Sequence, residues 1–399
     1  MSARQFYIIL AISTISMKMQ KLPSLIAGEL GKDSWLFFLI YTLINIIGII
    51  LVFVILRKVD IKTVLKQSKN KIFNILRFVL MIITLLYFLV QAILVYEHIQ
   101  GLFANTLFDS LSWPFFSLLL LFAVFFLAHR GIENLALNYE LYTWIIVASL
   151  VLLSIFGVSQ TDFFVILPLE TVSFNGLLSK LQMFSCWFGD FFLVLYLGIK
   201  ARDIKLSKTL FVYILSMLFM SFLVVVFIGI YDKVAPLAPG LISVISEQSL
   251  LDLSIGRLDW FLILFTEIGA ILTCALNLYF ANLCLHSAFP KAKPFYLKIF
   301  NIIVLYCLDI FILVDLNAKI RFFCGFMCYV TNVVSVVTVV FLFGIIIFNS
   351  VKKQKNNSGK LEIKSKLNAQ KRSYNKSKRS NGSSVSLILE GGENLWKSF

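Results

Sequence analysis

The sequence predicts an all-α integral membrane protein with ten transmembrane helices. Of its 399 residues, 59% are hydrophobic and 15% aromatic, and the mean hydropathy of +0.90 exceeds what the surface of a soluble globular protein allows. Ten apolar segments approach or reach the length of about 20 residues that crosses a bilayer as a helix. Basic residues also recur in alternate connections, the pattern of a multi-pass protein.

The candidate spans follow one another along most of the chain, and each ends where charged or turn-forming residues interrupt the apolar run. They are Phe6–Ile26, Trp35–Leu56, Leu76–Tyr96, Leu111–Ala128, Leu141–Phe156, Leu181–Ile199, Thr209–Ile230, Leu258–Leu285, Ile299–Val314 and Met327–Phe348.

The connections between the spans assign the orientation. The second, sixth and eighth connections are rich in Lys and Arg. The odd-numbered connections are poorer in them and carry Asp33, Asp109, Asp162, Glu170, Asp232, Glu247 and Asp252. By the positive-inside rule, both termini are predicted to be cytoplasmic. The basic residues concerned are Arg57, Lys58, Lys62, Lys66, Lys69, Lys71, Arg77, Lys200, Arg202, Lys205, Lys208, Lys291, Lys293 and Lys298.

The chain divides by composition into a ten-span membrane domain, residues 1–350, and a tail, residues 351–399. The tail holds twelve Lys and Arg against three acids, so it carries +9 of the net charge of +15. Its Lys, Ser, Asn and Gly content predicts a disordered cytoplasmic segment that faces anionic lipid or a partner, and not nucleic acid. In the longest external connection, the apolar stretch Leu241–Leu253 is too short to span and predicts a re-entrant or interfacial lid.

Four ionisable residues interrupt the apolar spans: Lys18, Lys21, Asp190 and Glu267. Asp190 and Glu267 each lie ten residues inside a span, or about 15 Å at the helical rise, which is close to the bilayer midplane. A charge at this depth costs several kcal/mol, so such residues usually line a cavity or a pathway. These ionisable residues at mid-membrane depth therefore indicate a transporter-like protein.

Two spans also carry signals of a helix break. Ser16–Pro23 replaces the apolar run of the first span by polar residues and a proline, and Cys186–Asp190 places a glycine beside a carboxylate in the sixth. The first and sixth spans correspond to each other in a five-plus-five inverted repeat, in which half-helix ends hold a zwitterion or an ion. The predicted ligand-binding residues are Lys18, Lys21, Cys186, Gly189, Asp190 and Glu267.

Four sets of short motifs follow one another along the chain: Ser2–Gln5, Leu22–Leu25 with Gly31–Trp35, Arg130–Glu133 with Glu140, and Gly256–Asp259. Taken in order, they resemble the spore germination permease family, the B subunits of nutrient germinant receptors. The family lies within the amino acid/polyamine/organocation (APC) transporter superfamily. The resemblance implies the APC-like fold with broken first and sixth helices around a small nutrient. It also implies assembly with an A subunit and a lipoprotein C subunit in the spore inner membrane.

Two other functions remain open beside the germinant receptor. In a proton-coupled amino acid permease of the cytoplasmic membrane, Glu267 or Asp190 would carry the proton and Lys18 would act as a fixed cation. In either function, Lys18 or Lys21 could instead pair structurally with Asp190 or Glu267. A membrane enzyme or lipid flippase is disfavoured, because the sequence offers no Ser/His/Asp set or acidic metal motif. We expect no catalytic residue, metal or cofactor.

Overall fold

The computed structural model describes residues 1–58, 71–106, 113–166, 180, 184–237 and 258–312. All of them belong to one compact unit, Met1–Leu342. Regular structure in these ranges is helical, with no strand. The lid prediction for Leu241–Leu253, the tenth span Met327–Phe348 and the tail 351–399 lie outside the described residues. The division into a membrane domain and a tail therefore stays a prediction.

The long helices agree with the predicted spans in order and differ from them in length. Helices α1 and α2 share the first predicted span, and short 3₁₀ turns cover Gly31–Asp33, Phe163–Ile166, Ser185–Phe188 and Asp232–Leu237. The α-helices are α1 (Ala3–Lys18), α2 (Leu22–Leu30), α3 (Ser34–Lys58), α4 (Lys71–Thr106), α5 (Trp113–His129), α6 (Ile132–Gln160), α7 (Asp190–Lys200), α8 (Leu206–Tyr231), α9 (Leu258–Ala288) and α10 (Pro294–Ile312).

Within the described residues, five helical stretches are long and apolar enough to cross a membrane. A shorter apolar helix covers Ser117–His129. Together they fit a multi-pass membrane protein. The count of ten spans and the inverted repeat go beyond these ranges and stay predictions. The five stretches are Leu22–Arg57, Arg77–Gln100, Ile132–Gln160, Leu206–Pro236 and Leu262–Ala288.

The predicted bounds of two spans were too short. Helix α6 begins at Ile132 and not at Leu141, and α4 continues ten residues past Tyr96 to Thr106. Polar residues at the ends of both helices lower the hydropathy without ending the backbone hydrogen bonding. At the start of α6, Gly131 adopts a φ of 90°, which glycine tolerates more readily than other residues.

Helices α4 and α9 form the buried centre of the described bundle, and they pack against each other along much of their length. Helix α1 contacts α6, α7, α8 and α9, so its broken end lies in the interior. Helix α6 exposes a broad apolar face, including Trp144, Val147 and Val151, as expected for a surface in contact with lipid.

Candidate functional site

The first helix is interrupted where the sequence predicted it. Helix α1 ends at Lys18, and the N–H of Met19 closes its last turn on the carbonyl of Ile15 at 2.9 Å. Helix α2 begins at Leu22, with Pro23 in its first turn. The last carbonyls of α1 and the first N–H groups of α2 have no partner within their own helices. The break therefore presents free backbone polar groups inside the bundle.

The sixth predicted span is also interrupted. A 3₁₀ turn covers Ser185–Phe188, Gly189 follows, and α7 begins at Asp190. A Cβ atom at position 189 would collide with the hydroxyl of Tyr87 on α4. Glycine is therefore required here by the close approach of α4.

The two breaks are joined by a buried ion pair. The Nζ of Lys18 lies 2.7 Å from Oδ1 of Asp190, and the hydroxyl of Tyr213 on α8 donates to Oδ2 at 3.0 Å. Lys18 is fully buried and Asp190 is 3% exposed. Lys18 lies at the C-terminus of α1, which carries a partial negative charge, and Asp190 lies at the N-terminus of α7, which carries a partial positive charge. Each side chain is therefore stabilised by the helix end on which it lies. We call these three residues the Lys18 clamp.

Aromatic packing holds the sixth-span turn against α3. The ring of Phe188 stacks on Tyr41 at 3.9 Å between centroids, and Phe37 meets the edges of Phe184 and Phe188. The Nζ of Lys18 lies 5.2 Å from the centroid of Phe188, within the range of a cation–π contact. The Lys18 clamp is thus enclosed by rings as well as by hydrogen bonds.

Glu267 lies elsewhere, opposite a histidine of α4. Its Oε1 is 3.8 Å from Nε2 of His98, beyond the 2.7–3.2 Å of an N–H···O hydrogen bond. Both residues are buried, and neither Glu267 oxygen accepts a hydrogen bond within the described part of the chain. A buried polar group without such a bond is costly. Glu267 can therefore take a donor from a ligand.

This carboxylate lies toward the end of the bundle that holds the break of the first helix. Helix α9 touches α1 closely at Gly269, whose added Cβ would come within 2.6 Å of the Ser16 hydroxyl. Glu267 precedes that contact on α9 and Gln20 follows it on α1, so both lie toward the same end of the bundle. Lys21, in the break itself, acts electrostatically on His98. The break and the Glu267–His98 pair thus face one region.

Further buried polar groups near the breaks lack hydrogen-bond partners among the described residues. Gln20 is 1% exposed and both of its amide atoms are unsatisfied. The hydroxyl of Ser24 and the indole N–H of Trp187 likewise have no hydrogen-bond partner among these residues. Donors and acceptors of this kind fit a small polar ligand with both an acidic and a basic group.

The predicted site residues thus fall into two groups. Lys18, Gly189 and Asp190 meet at the junction of the two breaks, whereas Lys21 and Glu267 belong with His98. No direct contact joins Glu267 to Lys18 or Asp190 in the described structure. The side chain of Cys186 lies outside the described residues. That these residues bind a ligand stays a prediction.

Sequence reasoning missed Tyr213, Gln20 and His98 as parts of this region. His98 lies two residues past the predicted end of the third span at Tyr96, but α4 continues beyond it. Gln91 and His98 are seven residues apart, which puts them on one face of a helix. That spacing was the available signal for a polar face directed inward. No grouping of His, Cys, Asp and Glu suited to a metal ion occurs among the described residues.

The comparisons with known proteins agree with the resemblance seen in the motifs. A family model described as a spore germination protein matches residues 1–317. A comparison with curated proteins found no match. The matched range includes the Lys18 clamp, the Glu267–His98 pair and both helix breaks.

Proposed function

The chain belongs to the spore germination permease family, and on that premise we propose that it is the B subunit of a nutrient germinant receptor, which binds an amino acid at the break of the first helix. The family favours transport or ligand sensing over catalysis. The observation that carries the proposal is Glu267, a carboxylate that is 1% exposed and whose two oxygens accept no hydrogen bond from the described residues, at the end of the bundle that holds that break.

In the proposed complex the ammonium group of the nutrient lies on Glu267. Asp190 is the poorer counterion, because Lys18 and Tyr213 already occupy its two oxygens. The carboxylate of the nutrient lies on the N–H groups of Leu22 and Ser24 in the first turn of α2, where the helix dipole favours an anion. The Gln20 amide and Lys21 are placed to assist it.

The Lys18 clamp serves a different purpose in this proposal. It holds the end of α1 against the start of α7, so the two breaks keep a fixed relation to each other. A ligand that bridges α2 and α9 can then bias the arrangement of the broken helices. Any resulting motion would be passed to an A subunit and a lipoprotein C subunit in the spore inner membrane, the partners that the family resemblance implies.

The test is equilibrium binding of a panel of radiolabelled L-amino acids to the full-length protein in lipid nanodiscs. Glu267→Gln keeps the shape of the side chain but removes the charge. Losing one member of a desolvated charge pair costs about 2–5 kcal/mol, so the affinity for the bound amino acid should fall by about thirtyfold or more.

Glu133→Gln is the matched control, because Glu133 is exposed in the first turn of α6. It should leave the affinity unchanged. A bound amino acid whose affinity is the same in Glu267→Gln and in the unmodified protein would contradict the proposed site.

The second candidate function is a proton-coupled amino acid permease, and the Glu267–His98 pair favours it. Two buried titratable side chains 3.8 Å apart can share or exchange a proton during transport. Proteoliposomes with an imposed pH gradient separate the two functions. Accumulation of the labelled amino acid that collapses with the gradient supports the permease, whereas binding without accumulation supports the receptor.

A further inference from the structure

A groove of about 470 Å³ lies between α1, α6 and α8, at the end of the bundle that carries residue 1. Its lining includes two basic side chains, Arg4 and Lys208, together with Tyr7, Trp144 and Glu140. All five come from segments predicted to lie at the cytoplasmic face. This groove is about 21 Å along α1 from the helix break, because Arg4 and Lys18 are 14 residues apart, and it does not depend on the proposed nutrient site.

Contacts within the groove hold Arg4 in place and leave Lys208 exposed. Oε1 of Glu140 lies 3.3 Å from Nε of Arg4, and Oε2 accepts a hydrogen bond from Nε2 of Gln5 at 3.2 Å. Both carboxylate oxygens of Glu140 thus have a partner. Lys208 is exposed and forms no ion pair within the described ranges. The Tyr7 hydroxyl accepts the N–H of Lys205 at 3.0 Å, and its own hydrogen remains able to donate. Cationic and hydroxyl donors thus converge, as a phosphate group requires.

Two apolar stripes lead from the groove toward the middle of the bundle. On α6, Trp144, Val147 and Val151 are exposed at the i, i+3, i+7 spacing of one helix face. On α8, Lys208 is followed on its own face by the exposed Phe211 and Leu215. A basic end that continues into exposed apolar stripes matches a phospholipid, with its headgroup at the surface and its chains along the helices.

We propose that this groove binds the headgroup of an anionic phospholipid. The phosphate contacts Lys208 and the terminal N–H groups of Arg4, and the acyl chains lie against Phe211 and Val147. Trp144, 74% exposed, lies at the level of the headgroups, where tryptophan is enriched in membrane proteins. Basic pockets between helices at the cytoplasmic face have the same preference for anionic headgroups.

Quenching of Trp144 fluorescence tests the proposal. The full-length protein is placed in phosphatidylcholine nanodiscs that contain an equal, low mole fraction of either brominated phosphatidylglycerol or brominated phosphatidylcholine. Bromine on the acyl chains quenches a tryptophan that they touch. Subtracting the signal of Trp144→Phe isolates Trp144 from the other tryptophans of the chain.

We expect brominated phosphatidylglycerol to quench Trp144 more strongly than brominated phosphatidylcholine. Lys208→Gln should lower this preference about fivefold, the effect of one basic residue near an anionic surface. Lys291→Gln is the matched control, because it removes an exposed lysine from another connection on the same predicted side. The control should keep the preference.

Three results would overturn the proposal. The first is equal quenching by the two lipids in the unmodified protein. The second is the same loss of preference in Lys208→Gln and Lys291→Gln, which would show only a general attraction to anionic membranes. The third is loss of the preference when inorganic phosphate is added at constant ionic strength, which would assign the groove to a soluble anion.

Discussion

Lys18→Met removes the ammonium group that lies 2.7 Å from Asp190 and leaves a carboxylate buried within the bundle. Removing one partner of a buried ion pair costs about 3–5 kcal/mol, because the remaining charge is no longer compensated. Tyr213 still donates to Oδ2, a bond to a charged group worth about 1.5–3 kcal/mol, and it cannot replace the lost cation. Asp190→Asn should destabilise the protein by a similar amount, since it leaves the buried ammonium group of Lys18 without a counterion.

The double variant Lys18→Met/Asp190→Asn removes both charges. If the pair acts as a clamp, stability should return to within about 1–2 kcal/mol of the unmodified protein, because no uncompensated charge remains. Nutrient binding should recover with it. If the pair contacts the nutrient, the double variant should be stable but unable to bind. The single variants should each lower the nutrient response by tens-fold or more.

Two measurements on each full-length variant decide between these outcomes. Thermal unfolding in detergent reports stability, and amino acid binding in nanodiscs reports the site. The control is Lys180→Met, which breaks the partly exposed pair Lys180–Glu29 and should cost no more than about 1 kcal/mol. Single variants as stable as Lys180→Met would refute the reasoning, because the buried pair would then contribute no more than a surface pair.

Three further predictions concern other parts of the chain. Gly189→Ala should destabilise the protein, because the added methyl group collides with the Tyr87 hydroxyl, and Tyr87→Phe in that variant should partly restore the thermal stability. Unchanged thermal stability in Gly189→Ala would contradict the close approach of Tyr87 to position 189. A reporter after Phe399 or within residues 62–71 should read cytoplasmic and one within residues 235–254 external, because of the Lys and Arg asymmetry; an external C-terminus would exclude the ten-span topology. Deleting residues 352–399 should leave membrane insertion intact but weaken binding to anionic liposomes. The loss should be salt-sensitive, since each basic residue near the surface contributes about 1 kcal/mol. Equal liposome binding at low salt would show that the tail does not contribute to membrane binding.

The helix breaks could be predicted from sequence because their causes are local. Pro23 cannot donate a backbone hydrogen bond, and the polar run before it removes the apolar side chains that a spanning helix needs. Gly189 beside Asp190 likewise marked the sixth span. The exact ends of α4 and α6 were not predicted, because hydropathy records the apolar part of a helix and not the extent of its backbone hydrogen bonding.

The partners of the buried charges could not be derived in the same way. Lys18 and Asp190 are 172 positions apart, and the sequence left both Asp190 and Glu267 open as partners in an ion pair or as ligand contacts. Counting residues at the helical rise gives the depth of a residue in the membrane, but it does not give the direction in which its side chain points around the helix. Tyr213 was missed for the same reason.

The sequence by itself determined the all-helical membrane class, the family and the two breaks, because hydrophobic length and backbone chemistry act over neighbouring residues. The tertiary structure alone decided that Lys18 and Tyr213 each contact one oxygen of Asp190, while Glu267 faces His98 and accepts no hydrogen bond from the described residues. That difference arises from how α1, α4, α7, α8 and α9 rotate against one another, and packing between distant segments sets that rotation.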